Sequence, residues 1–155
     1  MSYNWSVWLL PIAKDKKILT EYITMYSKLY GSDRFSPHLT LFGRMKVNPK
    51  SFYSFFNKVK SKSKIEKVRT FSIKIGDPPW KTMYMQLSLN KNLIELQKKI
   101  DKKFKLYRNY KFDPHVSLAY GNFTPDKKDI SLISHEEMIS FSSIAIVNTP
   151  NEIKN

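Results

Sequence analysis

Two stretches of the chain, SPHLTLFG at residues 36–43 and DPHVSLAYG at residues 113–121, share one frame: Pro, His, aliphatic, Thr or Ser, Leu. Two of the chain's three histidines, His38 and His115, occupy that frame, 77 positions apart. Side chains alternate across a strand. In PHLTLF, His38 and Thr40 therefore share one face while Leu39 and Leu41 share the other. In PHVSLA, His115 and Ser117 oppose Val116 and Leu118. Each copy must bury two aliphatics beneath a sheet and present an imidazole and a hydroxyl on the far side. Pro37 and Pro114 keep the chain extended as it enters each strand.

The surrounding pattern repeats as well. WSVWLLP (5–11) reads as a strand. Residues 15–30 set Ile18, Leu19, Tyr22, Ile23, Tyr26 and Leu29 at helical spacing, with Gly31 as a stop. HLTLF is the next strand. NPKSFYSFFNKVKS is a helix with Asn48 as N-cap and Pro49 at its first position. TFSIKIG is a third strand. TMYMQLSL (82–89) starts the same order again. Asn90 caps a helix carrying Leu93, Ile94, Leu96, Gln97 and Ile100, and HVSLAY follows. TPDKKDISLIS reads as a helix capped by Thr124, and FSSIAIVNT (141–149) is the last strand. The expectation is one α+β domain over residues 1–155, built from two intertwined halves, 4–76 and 82–149. The 155 residues fit that size.

Cysteine is absent, which excludes disulfides, thiolate catalysis and cysteine–zinc sites. No apolar run has the length of a membrane span. The opening MSYNWSVWLLP lacks a basic leader and a small-residue cleavage site, so it is expected to be a strand of the mature fold. These features fit a cytoplasmic, intracellular protein, expected to act as a monomer away from membranes. The 27 basic against 13 acidic residues give a formal net charge of +14. Such a field draws polyanions. It is densest in NKVKSKSKIEKVR (57–69), where Lys58, Lys60, Lys62 and Lys64 are either an RNA-binding surface or a solvated face.

Residues i and i+2 of a strand lie about 6.6 Å apart, a gap that takes a tetrahedral anion. If the two halves bring their frames together, two imidazoles and two hydroxyls converge. That set suits phosphoryl chemistry with no metal and no cofactor. One imidazole takes a proton from water, the other gives one to the leaving oxygen, and the hydroxyls hold the non-bridging oxygens. An isolated histidine at a strand start is ordinarily structural, and it is the matched pair that points to chemistry. His135, in SLISHEEM, has no such frame and is expected on the surface. There is no GxxxxGK[ST] and no GxGxxG.

PHLTL and PHVSL resemble the paired H-x-[ST] motifs of the 2H phosphoesterases. SVWLLP, RFSPHLTLFG and FDPHVSLAYGNFTPDKK resemble in particular the cyclic nucleotide phosphodiesterase branch known from plants and yeast, along nearly the whole chain. The resemblance implies a two-lobed α+β fold with antiparallel sheets around a central cleft. It implies a metal-independent enzyme that opens nucleoside 2′,3′-cyclic phosphates, or ADP-ribose 1″,2″-cyclic phosphate, to monoesters. It assigns His38 and His115 as the acid/base pair, with His115 activating water and His38 protonating the leaving oxygen. It assigns Thr40 and Ser117 as the phosphate clamp, and Trp8 and Phe112 as walls of the nucleotide pocket. Two alternatives stay open. One is an oligonucleotide or cyclic-oligonucleotide hydrolase acting on 2′-5′ or 3′-5′ links, in RNA-end processing or in viral destruction of nucleotide signals. The other is a catalytically silent RNA-binding module.

Overall fold

The computed structural model describes residues 2–62, 66–134 and 137–149, with only the backbone of residues 62 and 66. The described residues form six strands and three α-helices, in the order β1 (Trp5–Pro11), α1 (Ala13–Tyr30), β2 (Leu39–Met45), α2 (Tyr53–Lys62), β3 (Glu66–Ile75), β4 (Met83–Leu87), α3 (Lys91–Phe104), β5 (His115–Ala119) and β6 (Met138–Asn148). All strand pairs are antiparallel, and the strands close into one barrel in the order β1-β2-β5-β4-β3-β6. Exchanging β1 with β4, β2 with β5 and β3 with β6 leaves this cyclic order unchanged. The architecture is mixed α+β, compatible with the two-lobed fold that the resemblance implies. The expected sheets are joined edge to edge as one.

The helices start and stop for local reasons. Gly31 ends α1 in the left-handed region, at φ 66°, where glycine costs least. Asn48 accepts a hydrogen bond from the backbone N–H of Lys50 at 3.1 Å. It opens a 3₁₀ turn, Pro49–Phe52, and α2 follows that turn. Asn90 accepts from the N–H of Leu93 at 2.8 Å and caps α3. The helix expected after Thr124 is instead a 3₁₀ segment, Lys127–Leu132, with Asp126 at its N-cap position. Tyr26 and Tyr30 of α1 hold that segment, donating to the Asp129 carbonyl (2.7 Å) and carboxylate (2.6 Å). These tertiary bonds set its place where its own sequence supports no longer helix.

The barrel is apolar outside, and its inner face mixes polar groups with aromatic rings. On β1, Trp5, Val7 and Leu9 are buried beneath helices, and Ser6 and Trp8 face inward. Leu39 and Leu41 of β2, and Val116 and Leu118 of β5, are likewise fully buried on the outer face. Phe104 at the end of α3 is the hub of the outer core, packing against Trp5, Phe42, Phe52, Phe55 and Phe56 at centroid distances of 4.8–5.9 Å. Lys58 and Lys60 are exposed on α2, whose Phe56 and Val59 face the core. Lys64, His135 and the side chain of Lys62 lie outside the described residues. No helix among the described residues is long and apolar enough to cross a membrane.

Truncating the hub tests this packing. Phe104→Ala should lower unfolding free energy by about 3–5 kcal/mol, the range for emptying a buried aromatic site. The loss would be read as a lower denaturant midpoint. A change below about 1 kcal/mol would mean that the aromatic cluster does not bear on stability as its burial implies.

Candidate active site

Strands β2 and β5 pair through Leu39 and Val116, the residues that follow the two histidines. Counting outward in antiparallel register sets Thr40 opposite His115 and His38 opposite Ser117. Strand alternation turns all four inward. They line one cavity of about 440 Å³ together with Ser6, Trp8, Phe35, Arg44, Trp80, Arg108, Tyr110 and Tyr120, among others. That volume lies within the range of small-ligand pockets.

Both imidazoles are held alike. Nδ1 of His38 bonds the Ser36 carbonyl at 2.7 Å, and Nδ1 of His115 bonds the Asp113 carbonyl at 2.8 Å. A carbonyl only accepts, so each Nδ1 carries its hydrogen. Each Nε2 is left to exchange a proton with a ligand. A neutral ring accepts there, and a charged ring donates.

Their surroundings differ. Trp8 lies opposite Thr40 on β1 and stacks on His38, with ring centroids 3.5 Å apart and planes 8° from parallel. Tyr84 lies opposite Ser117 on β4 and meets His115 edge-on at 5.4 Å. Burial, with a smaller contribution from His115, pushes the His38 imidazolium down to about 4, against the Ser36 hydrogen bond. Burial and then the Lys81 ammonium push His115 below its ordinary value. Its approach loop is clamped. The Asp113 carboxylate accepts from Lys81 and from Gln86 Nε2 (2.9 Å), and Gln86 Nε2 also donates to the Pro114 carbonyl at 2.9 Å. Burial disfavours that carboxylate's charge, but those two donors outweigh it and hold Asp113 below the usual range.

The hydroxyls stand beside the imidazoles. Ser117 Oγ is 3.5 Å from the Trp80 carbonyl, and Tyr120 shares the cavity wall with it. Tyr120 stacks on Phe35 at 3.9 Å, and burial pushes its hydroxyl up to about 12, so it stays a neutral donor. Trp8 lines the cavity. Phe112 packs against the core and is absent from the lining, where Tyr110 stands two residues earlier. The sequence pattern does not single out Arg44, Arg108, Trp80, Tyr110 or Tyr120. Only Arg44 leaves a signal, as a lone charge closing the apolar run HLTLFGR. The others reach the cavity from loops and strand ends, which carry no periodic pattern.

The set can transfer protons, hold an anion and stack a base. Among the described residues no group of three or more His, Cys, Asp or Glu side chains could hold a metal ion. A family model described as cyclic phosphodiesterase-like protein matches residues 1–151. The comparison with curated proteins finds no match.

The buried, neutral His38 makes stability depend on pH. Folded His38 takes its proton only near pH 4, whereas an unfolded histidine takes it near 6.5. Between those values the unfolded chain binds more protons, so stability is full above pH 6.5 and falls as pH drops toward 4. His115 acts in the same direction. Melting temperature should therefore decline across this window in the native protein and decline less in His38→Gln. Parallel profiles would show that His38 is not buried neutral.

Proposed function

We infer the function from one premise: the chain belongs to the cyclic phosphodiesterase-like family. Cyclic phosphodiester hydrolysis follows from that membership as the general reaction. The finer reading is a metal-independent 2H phosphodiesterase that opens a nucleoside 2′,3′-cyclic phosphate or ADP-ribose 1″,2″-cyclic phosphate to a monoester. One observation carries it: two imidazoles with tethered Nδ1 atoms and two hydroxyls line a single cavity of about 440 Å³. A cavity of that volume suits one nucleotide better than a long strand, which favours the mononucleotide substrate over the oligonucleotide.

The cyclic phosphate sits between the two H-x-[ST] pairs. Thr40 and Ser117 donate hydrogen bonds to its non-bridging oxygens. Nε2 of neutral His115 takes a proton from water as the water oxygen bonds to phosphorus. The bond from phosphorus to one ring oxygen breaks, and Nε2–H of charged His38 protonates that oxygen. The products are a phosphomonoester and a free hydroxyl. His115 ends protonated and His38 neutral, and solvent exchange resets the pair. The order of roles rests on the resemblance, since both rings are tethered alike. Trp8 keeps the His38 ring in plane, and the aromatic walls take the base by stacking.

The first test is turnover of nucleoside 2′,3′-cyclic phosphates in EDTA. His38→Ala and His115→Ala should each lower turnover by about 10²–10⁴-fold while folding survives. Near-normal turnover in either variant would end the paired-histidine mechanism. Thr40→Ala and Ser117→Ala should each cost about 1.5–3 kcal/mol of transition-state binding, the worth of a hydrogen bond to a charged group. A substrate with sulfur as the leaving atom departs without protonation, so it should restore His38→Ala more than His115→Ala. The opposite rescue would reverse the roles.

The pH profile gives a further test. Both imidazoles are pushed below 6.5 in the free protein. The profile of kcat/KM should be a bell centred below about pH 6.5. It falls on the acid side as the base is protonated and on the alkaline side as the acid loses its proton. A bound anion favours both imidazolium forms, so the kcat profile should sit at higher pH. A kcat/KM maximum above about pH 7.5 would contradict the depressed values.

A further inference from the structure

The inner wall carries two arginines that the hydrolytic steps leave unused. Arg44 ends the inward run of β2, and Arg108 lies in the loop beyond α3. Register shifts between β1 and β2 on either side of Val7 displace the chain there, which is how bulges re-aim a side chain. Arg44 takes a positive φ of 63°, uncommon for a residue with a side chain. Its N–H donates to Ser6 Oγ at 3.0 Å, and Nη1 of Arg108 donates to the Gly43 and Arg44 carbonyls. The backbone is thus locked in a shape that sends the Arg44 side chain into the cavity.

The guanidinium of Arg44 lies over the Trp80 ring, 4.4 Å from its centroid, and that of Arg108 lies 5.8 Å from the Tyr110 centroid. Neither is in an ion pair among the described residues. Burial and then the charge of Arg108 push Arg44 below its ordinary value. The other charged residues on this wall, Asp33 and Arg34, are exposed. Two half-buried cations that repel each other, beside flat aromatic faces, form a site suited to an anion.

That anion is not the scissile phosphate, which already has two hydroxyls and two imidazoles. Thr40 and Arg44 are four residues apart on β2, at most about 13 Å along the strand. A phosphate on the 5-oxygen of the sugar that bears the cyclic phosphate lies one ribose away from the scissile group. We propose that Arg44 and Arg108 form a second anion subsite for such a 5-phosphate, so that the site selects cyclic phosphates carrying a second phosphate on the same sugar. The proposal rests on the cyclic phosphodiesterase reading of the cavity. A terminal phosphate and the phosphodiester of a preceding nucleotide present the same chemistry here.

The test uses the whole protein and two kinds of readout. Calorimetry compares adenosine 2′-phosphate with adenosine 2′,5′-bisphosphate, neither of which is turned over. The bisphosphate should bind about tenfold to a hundredfold more tightly, the worth of one added hydrogen bond to a charged group. The advantage should shrink to near unity in Arg44→Gln and be partly kept in Arg44→Lys, which retains charge without the fork. Kinetics then compares adenosine 2′,3′-cyclic phosphate with its 5′-phosphorylated form and with a dinucleotide ending in the cyclic phosphate. The preferred one of the last two identifies the source of the phosphate. Equal binding of the two products by the native protein overturns the proposal, as does a bisphosphate advantage that survives Arg44→Gln. If the bisphosphate advantage holds but no cyclic phosphate is turned over, the subsite stands and the hydrolytic reading fails. Turnover without any 5-phosphate preference leaves that reading intact and overturns the subsite.

Discussion

A single backbone pairing, Leu39 with Val116, joins the two histidine strands across the middle of the barrel. Everything in the cavity depends on it. Because those two aliphatics face the helices, the residues on either side of each must face inward. The register sets imidazole against hydroxyl twice over. A slip of one residue would send His38 and His115 outward and bury nothing useful in their place. The large outer core, with Leu39, Leu41, Val116 and Leu118 fully buried, opposes that slip. Hydrophobic packing on one face of the sheet thus positions the polar groups on the other.

The inner side carries an electrostatic strain that an anion would relieve. His38 and His115 are both pushed toward neutrality, and Arg44 and Arg108 repel each other on the same wall. An anion brought into this space would favour every charged form. The Lys81–Asp113 pair serves a different end. It fixes the loop whose carbonyl orients His115, while the Ser36 carbonyl orients His38.

The net charge of +14 has two separate expressions. One is the inward arginine pair, held by stacking and by hydrogen bonds to the backbone. The other is the exposed lysine face, represented by Lys58 and Lys60 on α2. Lysines on a solvated helix face are screened and mobile in charge placement, so they add to long-range attraction more than to selection. The arginines carry planar donors at a fixed place and can discriminate.

Much of this is legible in the chain itself. Period-two alternation in PHLTLF and PHVSLA, repeated in matched frames, marks the four inward groups, and Asn90 and Gly31 mark helix ends. These are local signals, because a strand's two faces and a helix's caps are set by neighbours a few residues away. The segment Lys127–Leu132 reads as an α-helix in sequence and folds as a 3₁₀ segment, because its place is set by Tyr26 and Tyr30, about a hundred residues earlier. Phe112 and Tyr110 cannot be told apart by spacing, since the loop that carries them has no period. The closing of six strands into one barrel, the stacking of Trp8 on His38, and the gathering of Arg44, Arg108, Trp80 and Tyr120 are decided only by the tertiary structure. Residues on different strands and loops share a cavity through packing and register, and no regularity along the chain encodes that distance.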